Sequence, residues 1–375
     1  MPEPFKNQFN EKLIIDMARH FSNAFSEFNA PGFIKQASDG LDLLELKERS
    51  SRICSAMKSF LPDDFKKSAK IIKKSLAKDN KDNSDNGSLN STGISEWAIM
   101  PVAEYVGLHG REHFELGMEL LKEMTPLFSS EFGIRFFLLE NPQKSLSIIK
   151  HWLGDSNSHV RRLASEGTRP RLPWAMRLPM FIEDPGLILP LLETLKDDKS
   201  EYVRRSVANN LNDISKDHPE LVAEIAERWL KGADANRKRL IHHACRSLIK
   251  QGHRPTLKAL GYGRPLVELK KLNVLDSKLK FGEELVFEIE LKSTSNKVQD
   301  LIIDYAIHHQ KANGKLSPKV FKWKKSAVQP NELLRAGKRH AMKSITTRKY
   351  YAGLHQLEIL VNGVSLDRIN FELII

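Results

Sequence analysis

A mainly helical chain closed by a smaller all-β domain is the fold class the sequence predicts. Three observations carry it. Apolar residues recur at three- and four-residue steps through most of the first 260 positions, the stripe of amphipathic helices. A segment beginning at Asp155 is echoed about 43 positions later. Beyond residue 265 the pattern becomes alternation of apolar and polar residues with β-branched enrichment.

Residues 5 to 75 read as helices, with Phe9, Leu13, Ile14, Met17, Phe21 and Phe25 on one stripe. The string "KDNKDNSDNGSLNSTG" is almost free of apolar residues and rich in turn formers, which predicts a mobile loop over about 78–93. Helical patterning resumes at Trp97 and persists to about Leu260, so the helical domain is placed at residues 1–262.

Within it, "DSNSHVRRLA" from Asp155 matches "DKSEYVRRSVA" from Asp198, and "NRKRLIHHACRSLIK" from Asn236 is a looser echo. Helical units recurring at about 40 residues mark a HEAT-like helical-repeat solenoid, in which each unit buries its face on its neighbours and equivalent helices line one concave wall. The tail, residues 265–375, holds seven or so short strands such as "LVFEIELKS", "LIIDYAIHHQ" and "RINFELII", with "ANGK" and "VNGV" as turns. This predicts an immunoglobulin-like β-sandwich without the Cys–Trp–Cys hallmark of antibody domains.

The chain of 375 residues carries a net charge of +12, which suits a polyanionic partner. The tail alone has 19 Lys and Arg against 12 Asp and Glu. Lys322, Lys324 and Lys325, or Arg335, Lys338 and Arg339, are its candidate contacts to a phosphate backbone. The two cysteines, Cys54 and Cys245, fit neither a disulfide framework nor a zinc site, and no metal or cofactor is expected. The start lacks a secretory pattern and no run of 18 apolar residues occurs, so a cytoplasmic location is expected.

Polar residues inside the repeats suggest chemistry. Glu131 and Arg135, Arg162 and Glu166, and the row Arg205, Asn209, Asp213 stand at four-residue spacing, with Lys216 nearby. Each helix thus offers a carboxylate beside a basic residue. Such pairs on solvated helices stabilise by only a few tenths of a kcal/mol, so the bland reading is surface ion pairing. Against it stands "GTRPRLPWAMRLP", whose three prolines forbid a regular helix and hold Trp174 in a stiff loop.

"HVRRLASEGTRPRLPWAMRLP" and "EYVRRSVANNLNDISKDHPELV" closely resemble the HEAT-like glycosylases of the DNA alkylation repair family, in the AlkC branch. The tail is similar to the immunoglobulin-like domain of a subset of that branch. The resemblance implies a monofunctional DNA glycosylase that excises cationic N-methylated bases, 3-methyladenine foremost, then 3-methylcytosine and 1-methyladenine, without a deep base-flipping pocket. It places the active-site acids at Glu131, Glu166 and Asp213 and the aromatic at Trp174. Arg161, Arg162, Arg169, Arg171, Arg204 and Arg205 are expected near DNA phosphates. Double-stranded alkylated DNA is the expected partner, bound by a monomer. The alternative is a non-catalytic HEAT-repeat scaffold for nucleic acid or protein. A metal-dependent nuclease is disfavoured, because one carboxylate per helix gives little to hold Mg²⁺.

Overall fold

The computed structural model describes residues 3–78, 92–345 and 348–375. A helical N-terminal region is followed by a C-terminal β-sandwich. The loop expected at 78–93 lies outside the described residues except at its ends. The chain divides into two compact units, Met1–Asp217 and His218–Ile375. Four helices from Pro219 to Ala259 therefore group with the β-sandwich rather than with the preceding helices.

The first unit is built from the expected stripes. The helix Glu11–Ala24 is capped by the Asn10 side chain, which accepts the Leu13 N–H. Its Ile14, Met17 and Phe21 are fully buried together with Phe9, while Leu13 and Phe25 are half-buried. Burying a side chain of this size stabilises by about 1.5–3 kcal/mol. The helix Leu46–Phe60 packs on Ile99–His109.

The internal repeat is matched in three dimensions down to single bonds. Asp155 accepts the Asn157 N–H at 2.9 Å, and Asp198 accepts the Ser200 N–H at 2.8 Å. Six residues on, Arg161 donates to the Asp155 and Ser156 carbonyls, and Arg204 donates to the Asp198 and Lys199 carbonyls. Val160 and Val203 fill the core beside them. The helices that follow, Ser158–Glu166 and Glu201–Ile214, pack against each other. Within this first unit cations also cross between successive repeats: Lys122 reaches Asp155 at 3.1 Å, and Arg161 makes a forked pair with Asp198 at 2.6 and 2.9 Å.

After Glu166 the chain leaves the helix at Gly167. A Cβ there would stand 2.7 Å from Ile134 Cγ2, so the close approach requires glycine. The prolines keep residues 167–178 irregular until a short helix, Pro179–Glu183, begins.

In the second unit the strands are β1 (Val267–Val274), β2 (Lys278–Lys280), β3 (Glu284–Ser293), β4 (Gln299–Gln310), β5 (Leu316–Val328), β6 (Leu333–Ala341), β7 (Gly353–Val361) and β8 (Val364–Ile374). They form two sheets, β1-β3-β6 and β2-β8-β7-β4-β5. Alternate residues such as Phe287, Ile289, Ile303, Tyr305, Leu357 and Phe371 meet in one apolar core, as period-two patterning requires. The "VNGV" turn has Asn362 and Gly363 at φ 47° and 71°, the primed geometry that suits a two-residue hairpin.

Candidate active site

Three acids from three successive segments are drawn into one charge network. Glu131 sits in the turn before the helix Ile134–Glu140. Glu166 ends the helix Ser158–Glu166, and Asp213 lies in the last turn of Glu201–Ile214. A carboxylate at a helix C-terminus faces the negative end of the helix dipole, so both positions need cations nearby.

Those cations come both from neighbouring segments and from within a turn of the acids themselves. Arg162 donates to Glu131 Oε2 at 2.8 Å and approaches Glu166 Oε1 at 3.4 Å. Arg169 donates to Glu166 Oε1 at 2.7 Å and to Asp213 Oδ2 at 2.8 Å. Lys216 closes the row on Asp213 Oδ1 at 3.0 Å. The order is Glu131, Arg162, Glu166, Arg169, Asp213, Lys216, with signs alternating throughout. Burial alone would lower both guanidiniums. Glu131 and Glu166 beside Arg162, and Asp213 and Glu166 beside Arg169, outweigh it and hold both above their ordinary value.

This corrects the pairing expected from four-residue spacing. Arg135 does not pair with Glu131: it is fully buried and donates to the backbone carbonyls of Met176, Gly167 and Arg169, at 2.6, 3.0 and 2.9 Å. Burial pushes its guanidinium down to about 10. Arg205 pairs with Glu201 on the exposed side of its helix, not with Asp213. Arg162 does meet Glu166 at the expected four-residue spacing and Lys216 meets Asp213 three residues away, but Glu131 is met by Arg162, and Asp213 by Arg169, from another segment.

Arg135 thus ties down the loop that carries Trp174. The indole is 58% exposed and its backbone lies at φ 65°, a left-handed conformation that side chains other than glycine rarely adopt. Trp174 lines a cleft of about 510 Å³ with Glu131, Arg162, Glu166, Arg169, Phe128, Phe132 and Tyr202. Asp213 is not among the lining residues. It is 1% exposed and meets the cleft through Arg169.

The remaining expected residues take various places. Arg161 is buried, with its guanidinium committed to Asp198 and two carbonyls, so it is a link between repeats rather than a rim cation. Arg169 is likewise enclosed between two acids. Arg171 makes a forked pair with Asp217, and Arg204 caps its own turn. In the second unit Lys322 and Lys324 stand on β5 and Lys338 and Arg339 on β6, each strand being the edge of its sheet. Lysines on sheet edges also discourage edge-to-edge pairing.

Several contributors were missed in the sequence. Ser206 donates to Glu166 Oε2 at 2.6 Å, Ser129 donates to Glu131 at 2.7 Å, and the Arg162 guanidinium lies 4.7 Å from the Tyr202 ring centroid. Ser206 and Tyr202 flank the second "VRR", so aligning the repeats against each other was the available signal. Among the described residues no group of three or more His, Cys, Asp and Glu side chains is placed to hold a metal ion. No helix among them is long and apolar enough to cross a membrane.

Comparison with known proteins matches the helical region and the β-sandwich separately. The family model "DNA alkylation repair enzyme" matches residues 129–248, and "Uncharacterised protein YhaZ, C-terminal Ig-like domain" matches residues 268–375. The chain is 35% identical to the uncharacterized protein YhaZ of Bacillus subtilis (strain 168) over 373 residues, 98% of each. A solved structure of the Pseudomonas fluorescens alkylpurine DNA glycosylase AlkC, bound to DNA containing an abasic site analog, matches with a TM-score of 0.89 and 35% identity over 100% of both chains. With relatives matched from end to end, the chain belongs to the HEAT-like DNA alkylation repair family, in the form that carries a YhaZ-type Ig-like domain.

Proposed function

We propose that this chain is a monofunctional DNA glycosylase that excises cationic N-methylated bases, with Glu131, Glu166, Asp213 and Trp174 as its active-site residues. The observation that carries this is the placing of two carboxylates, Glu131 and Glu166, in one cleft with an exposed tryptophan, and of a third, Asp213, joined to them through Arg169, in a full-length relative of an alkylpurine DNA glycosylase.

The chemistry suits the residues. A cationic methylated base leaves without prior protonation, and positive charge moves to the deoxyribose as the bond breaks. Fixed carboxylates stabilise that developing cation, which is electrostatic preorganisation. A unit charge pair at about 4 Å and an effective dielectric near 20 contributes on the order of 4 kcal/mol. That corresponds to roughly a thousandfold in rate at about 1.36 kcal/mol per decade. The indole face attracts the same electron-poor groups. Asp213 is the acid assigned to orienting the attacking water.

Arg162 and Arg169 hold the acids aligned while at rest. Three acids outnumber the two buried guanidiniums, since Lys216 is the more exposed member. A DNA phosphate competing for Arg162 would bare Glu131 and Glu166 toward the sugar. Arg171, Arg204 and Arg205, with Lys322, Lys324, Lys338 and Arg339 of the tail, are assigned to the phosphate backbone of double-stranded DNA.

One observation favours a second reading, a non-catalytic scaffold: every one of these acids already has a cation beside it. Incubating the chain with methylated duplex DNA and measuring free methylated base separates the two. Release supports the glycosylase, and its absence at enzyme excess supports the scaffold.

A further inference from the structure

A cavity of about 570 Å³ lies in the second unit where β4 turns into β5, and it shares no residue with the cleft of Trp174. Its charged lining is of one sign. Lys311, Lys319, Arg348 and Lys349 stand there with His309, and no Asp or Glu does. Among the described residues none of these four cations forms an ion pair. Elsewhere in the sandwich the arginines are matched, for Arg335, Arg339 and Arg368 each meet a glutamate.

The strand pattern shows how Arg348 stays uncancelled. Ile303, Tyr305 and Ile307 point into the apolar core from β4, and His309 is the next buried residue of that row. His355 precedes Leu357 on β7 in the same way, and the two imidazoles meet edge to face at 5.6 Å. Arg348 donates its Nη1–H to His309 Nε2 at 2.6 Å. A ring nitrogen that accepts carries no proton, so the imidazole is neutral. Burial, and Arg348 after it, pushes that ring down to about 3, which keeps it neutral near pH 7. A carboxylate would hold the guanidinium as firmly and would cancel its charge. The imidazole holds it and leaves the charge whole. The guanidinium Nε and Nη2 have no hydrogen-bond partner among the described residues.

We propose that this cavity binds a phosphate group through Arg348, Lys311, Lys319 and Lys349. A guanidinium with two donors to spare matches two phosphate oxygens, and flexible lysines around it supply further charge. The volume falls within the range of about 300–1,000 Å³ usual for small-ligand sites, so there is room for what the phosphate is attached to. A small phosphorylated compound and the DNA backbone present the same chemistry here. The inference does not depend on the glycosylase reading, and it uses none of Lys322, Lys324, Lys338 and Arg339. The competing reading is a set of solvated cations beside an edge strand, where they discourage sheet pairing.

The test measures the full chain against two probes, inorganic phosphate by calorimetry at fixed ionic strength and duplex DNA across a salt series. Two variants are compared with the unaltered chain: Arg348→Gln, and a double Lys311→Gln and Lys349→Gln change at exposed positions that the fold does not need. Phosphate affinity falls at least about tenfold in each, as for a lost charged contact. If the phosphate is that of DNA, the slope of log affinity against log salt also becomes shallower by roughly 0.9 for each contact removed. Lost phosphate binding with an unchanged slope assigns the cavity to a small phosphorylated compound instead. A control carries the same change of charge at Lys278→Gln and Lys280→Gln on β2, the opposite edge of the sheet from β5. Variants indistinguishable from the unaltered chain with both probes overturn the proposal, and so does equal weakening by the control.

Discussion

Arg169 donates its Nε–H to Asp213 at 2.8 Å across 44 positions of sequence. The acid assigned to the attacking water is therefore held by the segment that also carries Glu166 and Trp174. Asp213→Asn keeps an acceptor for Arg169 but removes the charge. Release of methylated base falls by about a hundredfold to a thousandfold, while duplex affinity in a gel-shift titration stays near the wild-type value. Glu166→Gln behaves alike. Undiminished release by both variants would remove these acids from the mechanism.

Arg135 is buried with three carbonyls as its bonded partners. Arg135→Lys retains the charge and loses the fork, leaving at least one carbonyl unmet. Urea denaturation shows a loss of about 2–3 kcal/mol, the usual cost of an unsatisfied buried group. Activity falls with it because the Trp174 loop is no longer tied down. A variant of wild-type stability would show that the loop has other anchors.

Trp174 at φ 65° occupies a conformation that costs a residue with a Cβ about 1–2 kcal/mol. Trp174→Gly relieves it and Trp174→Ala does not, so the glycine variant melts no lower than the alanine variant. Both lose base release by at least about tenfold, the cost of about 1.4 kcal/mol of lost contact. Differential scanning fluorimetry and the release assay check the two halves separately.

The β-sandwich is sensitive to acid. Burial, together with the neighbouring Arg348, holds the His309 imidazole down to about 3, and burial with the same arginine holds His340 down to about 4. The unfolded chain takes up these protons near the ordinary value of 6.5, while the folded one refuses them. Stability is thus complete above pH 6.5 and is lost as pH falls through the interval below it. At pH 5 the His309 contribution lost is on the order of 2 kcal/mol. Urea titrations at pH 7 and 5 show the drop, and His309→Gln makes the pH dependence shallower.

On the tail, a Lys322→Ala and Lys324→Ala double variant reports phosphate contact. If both lysines neutralise phosphates, the slope of log affinity against log salt becomes shallower by roughly 1.8. An identical slope removes both lysines from the interface.

The helical and β regions were legible because periodicities of 3.6 and 2 differ plainly along this chain. Phe9, Ile14, Met17 and Phe21 announce their burial by spacing alone. The repeat was legible too, because "VRR" recurs with its preceding aspartate. What spacing did not reveal was partnership across repeats. Arg162 serves Glu131 and Arg169 serves Asp213, relationships set by how helices pack rather than by position within one helix. The left-handed backbone of Trp174 was equally hidden, since its proline neighbours predict irregularity without saying which conformation results.

The aspartates at 155 and 198 each receive a cation from the unit before, and each orders its own turn. Both modules therefore open with a socket that takes a plug from the module before, a lysine at one joint and an arginine at the other. An array joined this way lengthens or shortens by whole modules without new contacts being invented at the joint. Spliced copies that retain both halves of the connector should stack, and those that lose one half should come apart at that seam.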